Sequence, residues 1–262
     1  MLLNRLLIKA VAPVPKIEKF KTYLFVAPHP DDIEIAVGST VARLAREGKD
    51  VYYLVCTDGR YGTEDEKMSP ETLVKIRRDE QQASAKILGV KDVRFLPFED
   101  GGMYDEVALR IEIAKVIAEI KPDVVIGPDH KLYPESHPDH LRVGEAVSKA
   151  YFMCGNVNMM KSVGATQIAK PTVLAYYFTG KPNKYVKITK KDFEKTKAAY
   201  ACFVSQCPPP DNGKSLMLYM RLKVRLNGLR SFHIRADAFR VMNNMHIHCC
   251  GEAEDTAIRR PL

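Results

Sequence analysis

The chain has 262 residues, a formal net charge of +8, 46% hydrophobic and 27% charged residues. That composition is ordinary for a globular protein and leaves room for one large domain or two small ones with a sizeable core. It excludes a low-complexity or disulfide-scaffold chain, and no apolar run reaches the ~20 residues that a bilayer span takes.

The N-terminus, MLLNRLLIKAVAPVPK, has its apolar residues broken by Asn4, Arg5 and Lys9. No basic segment precedes a clean apolar one, so a signal peptide is not expected. The stretch reads as a short amphipathic helix stopped by Pro13 and Pro15. TYLFVA (22–27) is a predicted strand. VGSTVARLAREG (37–48) is a helix closed by Gly48, and VYYLVCT (51–57) a strand followed by the glycine-bearing loop TDGRYGT. From 69 a long helix is expected, with Ser69 as N-cap, Pro70 in the first turn and Gly89 as terminator. VRFLPF (93–98) is strand-like, and EVALRIEIAKVIAEIK (106–121) is a periodic helix stopped by Pro122. DVVIGP (123–128), a helix from near Pro138 and TVLAYYF (172–178) continue the rhythm. CPPPDNGK (207–214) is the clearest loop, and the chain beyond it looks less regular. The alternation predicts an α/β fold: a Rossmann-like, mostly parallel sheet with helices on both faces. One domain is expected over 1–262, with a core of about 22–242, an N-terminal extension and a C-terminal tail from 243.

The six cysteines, Cys56, Cys154, Cys202, Cys207, Cys249 and Cys250, form no CxxC pair. A reducing cytoplasm is the simplest compartment, and Cys56 reads as a packed strand residue. Lysines and arginines are scattered, with runs at 187–197 and 221–230, and no nucleic-acid recognition motif accompanies them. A solvated basic face is the reading preferred here, with neither a membrane nor a specific nucleic acid as partner.

Two charged clusters follow predicted strands, where ligands bind in such sheets. His29-Pro30-Asp31-Asp32 comes directly after YLFVA. Glu135-Ser136-His137-Pro138-Asp139-His140 follows DVVIGP after a short loop. Either alone reads as a helix N-cap or a solvated helix start. Together they predict a metal site. His29, Asp32 and His140 make a two-imidazole, one-carboxylate set that suits zinc and leaves a position for water. Zinc lowers the pKa of such a water toward about 7. Asp31 is then spare to act as general base. His137 is placed to stabilise an oxyanion or protonate a leaving amine, with Asp139 orienting it and raising its pKa. These are the parts of metal-assisted hydrolysis of a carbonyl substrate. The same ligands suit Fe(II) in a non-haem oxygenase, a class the spare Asp31 argues against. A non-catalytic sugar- or nucleic-acid-binding protein has only the positive charge in its favour.

The HPDD and HPDH pair resembles the PIG-L/LmbE-like family of zinc-dependent N-acetylglucosamine deacetylases. TDGRYGT, IRRDE (76–80), FEDGG (98–102) and VSQ (204–206) extend the likeness over roughly Tyr23 to Met242. PDHKLYPESHPDH and YYFTGKPNKYVKI are most similar to the archaeal diacetylchitobiose deacetylases. The resemblance implies a hydrolase that removes the N-acetyl group from N-acetylglucosamine units of a small sugar, with Zn2+, or Fe2+ or Co2+, as cofactor. Another GlcNAc conjugate or small amide is the near alternative. It implies the same ligands, base and oxyanion group as above. It further implies that Arg77 and Asp100 hold sugar hydroxyls, and that the protein is a homo-oligomer, a hexamer in the archaeal relatives. Phe203 stands where relatives often have a His before the SQ pair. Glu135 stands where some have an oxyanion tyrosine; Tyr133 lies nearby, and whether it substitutes is left open by the sequence. The tail MNNMHIHCC admits three readings: a second metal site of His246, His248, Cys249 and Cys250, a plain tail, or an arm whose histidine enters a neighbouring subunit's site.

Overall fold

The computed structural model describes residues 10–248. The strands are β1 (Thr22–Ala27), β2 (Asp50–Thr57), β3 (Asp92–Phe98), β4 (Val124–Pro128), β5 (Val173–Tyr177), β6 (Lys184–Lys187) and β7 (Ala236–Asn243). The helices of four or more residues are α1 (Asp32–Arg46), α2 (Pro70–Leu88), α3 (Glu106–Ile120), α4 (Pro138–Met153), α5 (Val157–Ser162), α6 (Lys190–Tyr200), α7 (Lys214–Arg230) and α8 (Asn244–Ile247).

Among the described residues, all seven strands lie in one sheet, in the order β3-β2-β1-β4-β5-β7-β6. The first five are parallel; β7 runs antiparallel to β5, and β6 antiparallel to β7. β1, β4 and β5 are buried on both faces, which is why they read as unbroken apolar runs. One apolar core holds Phe25, Tyr53 and Ile126 against Ile33, Val41 and Leu44 of α1 and Leu88 of α2. The other holds Leu24, Leu54 and Val125 against Leu109 and Ile113 of α3 and Val143 of α4. The expected sheet with helices on both faces is therefore present. Residues 23–25 of β1 lie between β2 and β4, and the strand order reverses beside it. A loop leaving the C-terminal end of β1 thus opens at the topological switch point.

Two parts of the sequence reading need correction. The first helix starts at Asp32, not at Val37, and Val37 is a break inside it, with φ −149° and ψ 22°. Residues 32–36, five positions that the sequence reading left outside the helix, are thus helical. The region past CPPPDNGK is regular: α7 has 17 residues and β7 has eight. A third small core, with Phe193, Tyr200, Phe203, Met220 and Val224, joins α6 to α7. α7 conceals its helical period because it is apolar on both sides, with Leu218, Leu222, Leu226 and Leu229 exposed opposite that core.

Most of the expected N-terminal helix lies outside the described residues, as do Cys249 and Cys250. His246 is occupied locally: its Nδ1 accepts the Asn243 N–H, and its Nε2 lies 2.9 Å from the Ala12 carbonyl. His248 stacks on Phe152. Cys56, Cys154, Cys202 and Cys207 are free thiols. No helix among the described residues is long and apolar enough to cross a membrane.

Candidate metal centre

The loop after β1 turns sharply at Asp31, whose φ is 95°. Aspartate tolerates this left-handed region better than most residues, and the turn starts α1 with Asp32 in its first position. The Asp32 carboxylate folds back and accepts the His29 backbone N–H at 2.9 Å. His29 and Asp32 are thereby fixed against each other before anything else reaches the site. His137 is the N-cap of α4, so Asp139 and His140 project from that helix's first turn towards the same point.

His29 Nδ1 lies 3.4 Å from one Asp32 oxygen, and His140 Nε2 lies 3.4 Å from the other. Ligand atoms of His29, Asp32 and His140 all lie within 4.8 Å of one another. The opposite edge of each imidazole is held by an acid. His29 Nε2 is 3.0 Å from both Asp100 Oδ1 and Asp139 Oδ2, and His140 Nδ1 is 2.8 Å from Glu135 Oε2. Carboxylates accept, so in the neutral imidazoles the protons sit on His29 Nε2 and His140 Nδ1. His29 Nδ1 and His140 Nε2, which face Asp32, are the atoms that would ligate a cation, a metal displacing the proton each carries when its ring is charged. Metal-binding histidines are characteristically backed in this way. The donor set fits a divalent cation with a vacant coordination position.

Charge reinforces the fit. Burial alone would lower the His29 imidazole, but hydrogen bonds to Asp100, Asp139 and Asp32 outweigh it and hold its pKa well above the usual value. For His140, burial is likewise outweighed, here by Asp32 and Glu135, and the pKa rises to about 9. Burial would raise Asp32, yet His140 and His29 hold it far below the carboxylate range. These groups favour positive charge around Asp32, as a bound cation would require.

Asp31 lies beside this trio without being one of its three converging groups. Burial, with neighbouring Asp32 adding to it and Arg77 opposing, pushes its carboxyl up to about 7. Its Oδ2 lies 3.3 Å from Arg77 Nη2. His137 forms the open rim, with 43% of its side chain exposed. Its Nδ1 accepts the Asp139 backbone N–H at 3.3 Å, so Nε2 carries the proton and is free to donate.

All eight expected site residues are in this cluster or directly behind it. Three take positions different from those expected. Asp139 Oδ2 is 3.9 Å from His137 but 3.0 Å from His29 and 2.8 Å from the Gly101 N–H, so it backs His29 rather than the rim histidine. His137 accordingly has a lowered pKa, through burial and the neighbouring His29 and His140, not a raised one. Asp100 and Arg77, expected to hold sugar hydroxyls, are 6% and 4% exposed. Asp100 holds His29 Nε2 and accepts the Tyr61 N–H. Arg77 donates to the carbonyls of Gly59 and Pro30. TDGRYGT makes room for it: a Cβ on Gly59, whose φ is +65°, would lie 2.5 Å from Arg77 Nη1.

The sequence reading missed Glu135 as the partner of His140. The signal was its place five residues before His140, within the same loop. Tyr133 is fully exposed. Phe203 is buried in the core between α6 and α7.

Residues 24–151 match the PIG-L family, described as GlcNAc-PI de-N-acetylase. Over 251 residues the chain is 33% identical to the diacetylchitobiose deacetylase of Thermococcus kodakarensis, covering 95% of this chain and 92% of that protein. The chain belongs to the PIG-L family. The solved structure of N,N'-diacetylchitobiose deacetylase from Pyrococcus horikoshii superposes with a TM-score of 0.85 at 30% identity, covering 95% of this chain and 94% of that one. A 1D-myo-inositol 2-acetamido-2-deoxy-alpha-D-glucopyranoside deacetylase from Kineococcus radiotolerans is 31% identical over 199 residues, covering 61% of this chain and 53% of that protein. Family and fold thus accord with a deacetylase. The oxygenase and the non-catalytic binder have no support from these relatives.

Proposed function

We propose that this PIG-L protein is a zinc-dependent N-deacetylase that hydrolyses the acetamide of N-acetylglucosamine units in a small sugar such as diacetylchitobiose. The observation that carries the reading is the division of labour among adjacent carboxylates. Asp32 faces both ligand histidines, while Asp31 stands aside with a raised pKa. His29, Asp32 and His140 would hold the ion. A divalent metal there supplies Lewis-acid polarisation of the amide carbonyl and lowers the pKa of a water toward about 7.

The chain's own residues do the rest. Asp31 accepts a proton from the attacking water and returns one to the departing amine nitrogen. His137 donates from Nε2 to the developing oxyanion; its lowered pKa suits a neutral donor better than an acid for the amine. Asp100 and Asp139 hold His29, and Glu135 holds His140. Fe2+ and Co2+ suit the same ligands, and Zn2+ is preferred for an open site of nitrogen and oxygen donors. The match to diacetylchitobiose deacetylases over nearly the whole chain favours that disaccharide over a glucosaminyl conjugate.

We also propose a single domain, a cytoplasmic setting and assembly into a homo-oligomer. The exposed leucines of α7, with Phe232 and Ile234 beyond them, support assembly, because a contiguous apolar strip of this kind is unusual on a monomer. The deciding experiment is acetate release from N,N'-diacetylchitobiose and N-acetylglucosamine. The chain is first stripped of metal and then reloaded with Zn2+, Fe2+ or Co2+. Metal-dependent acetate from the disaccharide is expected. Release from neither sugar, with metal bound, would move the substrate elsewhere.

A further inference from the structure

The carbonyl of Pro30 and the N–H of Asp31 belong to one peptide unit, and α2 grips both ends of it. Arg77 Nη2 donates to the Pro30 carbonyl at 2.6 Å, and Gln81 Oε1 accepts the Asp31 N–H at 3.0 Å. Residues 77 and 81 are one helical turn apart and share a face. The amide of Gln81 has only one useful orientation here, and Glu34 sets it. Glu34 Oε1 accepts from Gln81 Nε2 at 3.0 Å and from Ser84 Oγ at 2.8 Å. Gln81 and Ser84 are fully buried, and Glu34 is 1% exposed. The side-chain hydrogen bonds of these three run to one another and to the Asp31 N–H, not to His29, Asp32, His137 or His140. A buried polar bridge with no contact to substrate needs another reason to exist, since burying such groups carries a desolvation cost.

The peptide they hold is the one that matters for Asp31. Its φ of 95° is a conformation that non-glycine residues seldom adopt. Rotation of the Pro30–Asp31 peptide would relax that turn and swing the carboxylate away from the metal centre. The geometry points to Gln81, oriented by Glu34, as a positioning residue that fixes the Asp31 carboxylate by clamping its own peptide bond. This inference rests on the proposed base role of Asp31.

The test uses the zinc-loaded full chain and acetate release from N,N'-diacetylchitobiose. Gln81→Leu removes the acceptor at similar volume. It should lower kcat ~10- to 100-fold, the scale of a misplaced catalytic group, with KM within about twofold and one metal per chain retained. Because Gln81 acts through Asp31, the same substitution in an Asp31→Asn background should change the residual rate less than about twofold. A rescue separates positioning from simple loss of stability. Gln81→Glu keeps the acceptor for Asp31 N–H but sets two carboxyls against each other. Adding Glu34→Gln restores a donor between them, reverses the bridge and should recover kcat to within about threefold of the parent. The inference is overturned if Gln81→Leu leaves kcat within twofold. It is equally overturned if the loss is as large in the Asp31→Asn background, or if the paired exchange is no better than Gln81→Glu alone. Should Asp31→Asn itself be as fast as the parent, the base role fails first, and the inference falls with it by a distinguishable route.

Discussion

Glu135 holds His140 from behind: its Oε2 is 2.8 Å from His140 Nδ1, while its Oε1 accepts the backbone N–H groups of Ser136 and His137. Burial would raise this carboxyl, but those N–H groups and His140 outweigh it and keep it below its usual range. A charged acceptor on Nδ1 fixes the tautomer and makes Nε2 a better ligand. Glu135→Ala should therefore weaken zinc affinity by ~10- to 100-fold, the usual cost of losing such a partner. Competition against a chromogenic chelator measures it; an unchanged affinity would remove Glu135 from the centre.

The same backing applies on the other side, and it shows what could be read in the sequence and what could not. His29, Asp32 and His140 were legible because their residue types and their places after two strands are local facts. Asp139 was misassigned to His137 because adjacency in sequence suggested contact, whereas the first turn of α4 turns its carboxylate towards His29 and Gly101. Arg77 was recognisable as important but not for what it does, because its partners at Gly59 and Pro30 come from two other loops. Glu34 and Gln81 carried no sequence signal, since their meaning depends on α2 packing across the start of α1. α7 and β7 were missed for a different reason. An apolar strip on the outer side of α7 erased the periodicity that marks a helix, and β7 enters the sheet antiparallel, outside the βα rhythm.

The base role of Asp31 has a pH signature. In the unliganded protein its carboxyl is pushed up to about 7, by burial and by Asp32 with Arg77 opposing. A dication beside it favours the ionised form, so in the loaded enzyme the pKa lies below that value. A base works deprotonated. The rate should therefore rise with pH through an acid limb whose midpoint lies below about 7, and be flat above it until another group titrates. Asp31→Asn should lower kcat ~10²- to 10⁴-fold and abolish the limb. A limb that survives unchanged in that variant would assign it to a different group.

Metal removal should register in stability as well as in activity. Asp32, Asp100 and Asp139 crowd around His29, with Asp31 next to Asp32, and the His29 and His140 imidazoles and Arg77 offset them. A cation that binds the folded chain alone stabilises it by about 2.7 kcal/mol when present at 100 times its Kd. Thermal melts of stripped protein should therefore shift upward on adding zinc. His140→Ala and Asp32→Asn should lose most of that shift. An equal shift in both variants would place the stabilising metal elsewhere.

Lys223 offers a test of how α1 is supported. The break at Val37 frees the carbonyls of Ile35 and Ala36, and the Lys223 ammonium, reaching in from α7, donates to both. Burial pushes its pKa down to about 8, with Asp237 opposing. The unfolded lysine keeps a value near 10.4. Below about pH 8 both states are protonated and stability is indifferent to this group. Between about 8 and 10.4 the unfolded chain binds the extra proton, so this lysine's contribution to stability rises with pH. Lys223→Met removes the titration and leaves two carbonyls without their donor, a loss of ~1–3 kcal/mol. The difference in Tm between parent and variant should therefore be positive at pH 7.5 and widen towards pH 10. Tyrosines buried elsewhere titrate in both proteins and cancel in that difference. A gap that narrows with pH would mean that the ammonium is not desolvated beneath α1, and that the break at Val37 is held by other contacts.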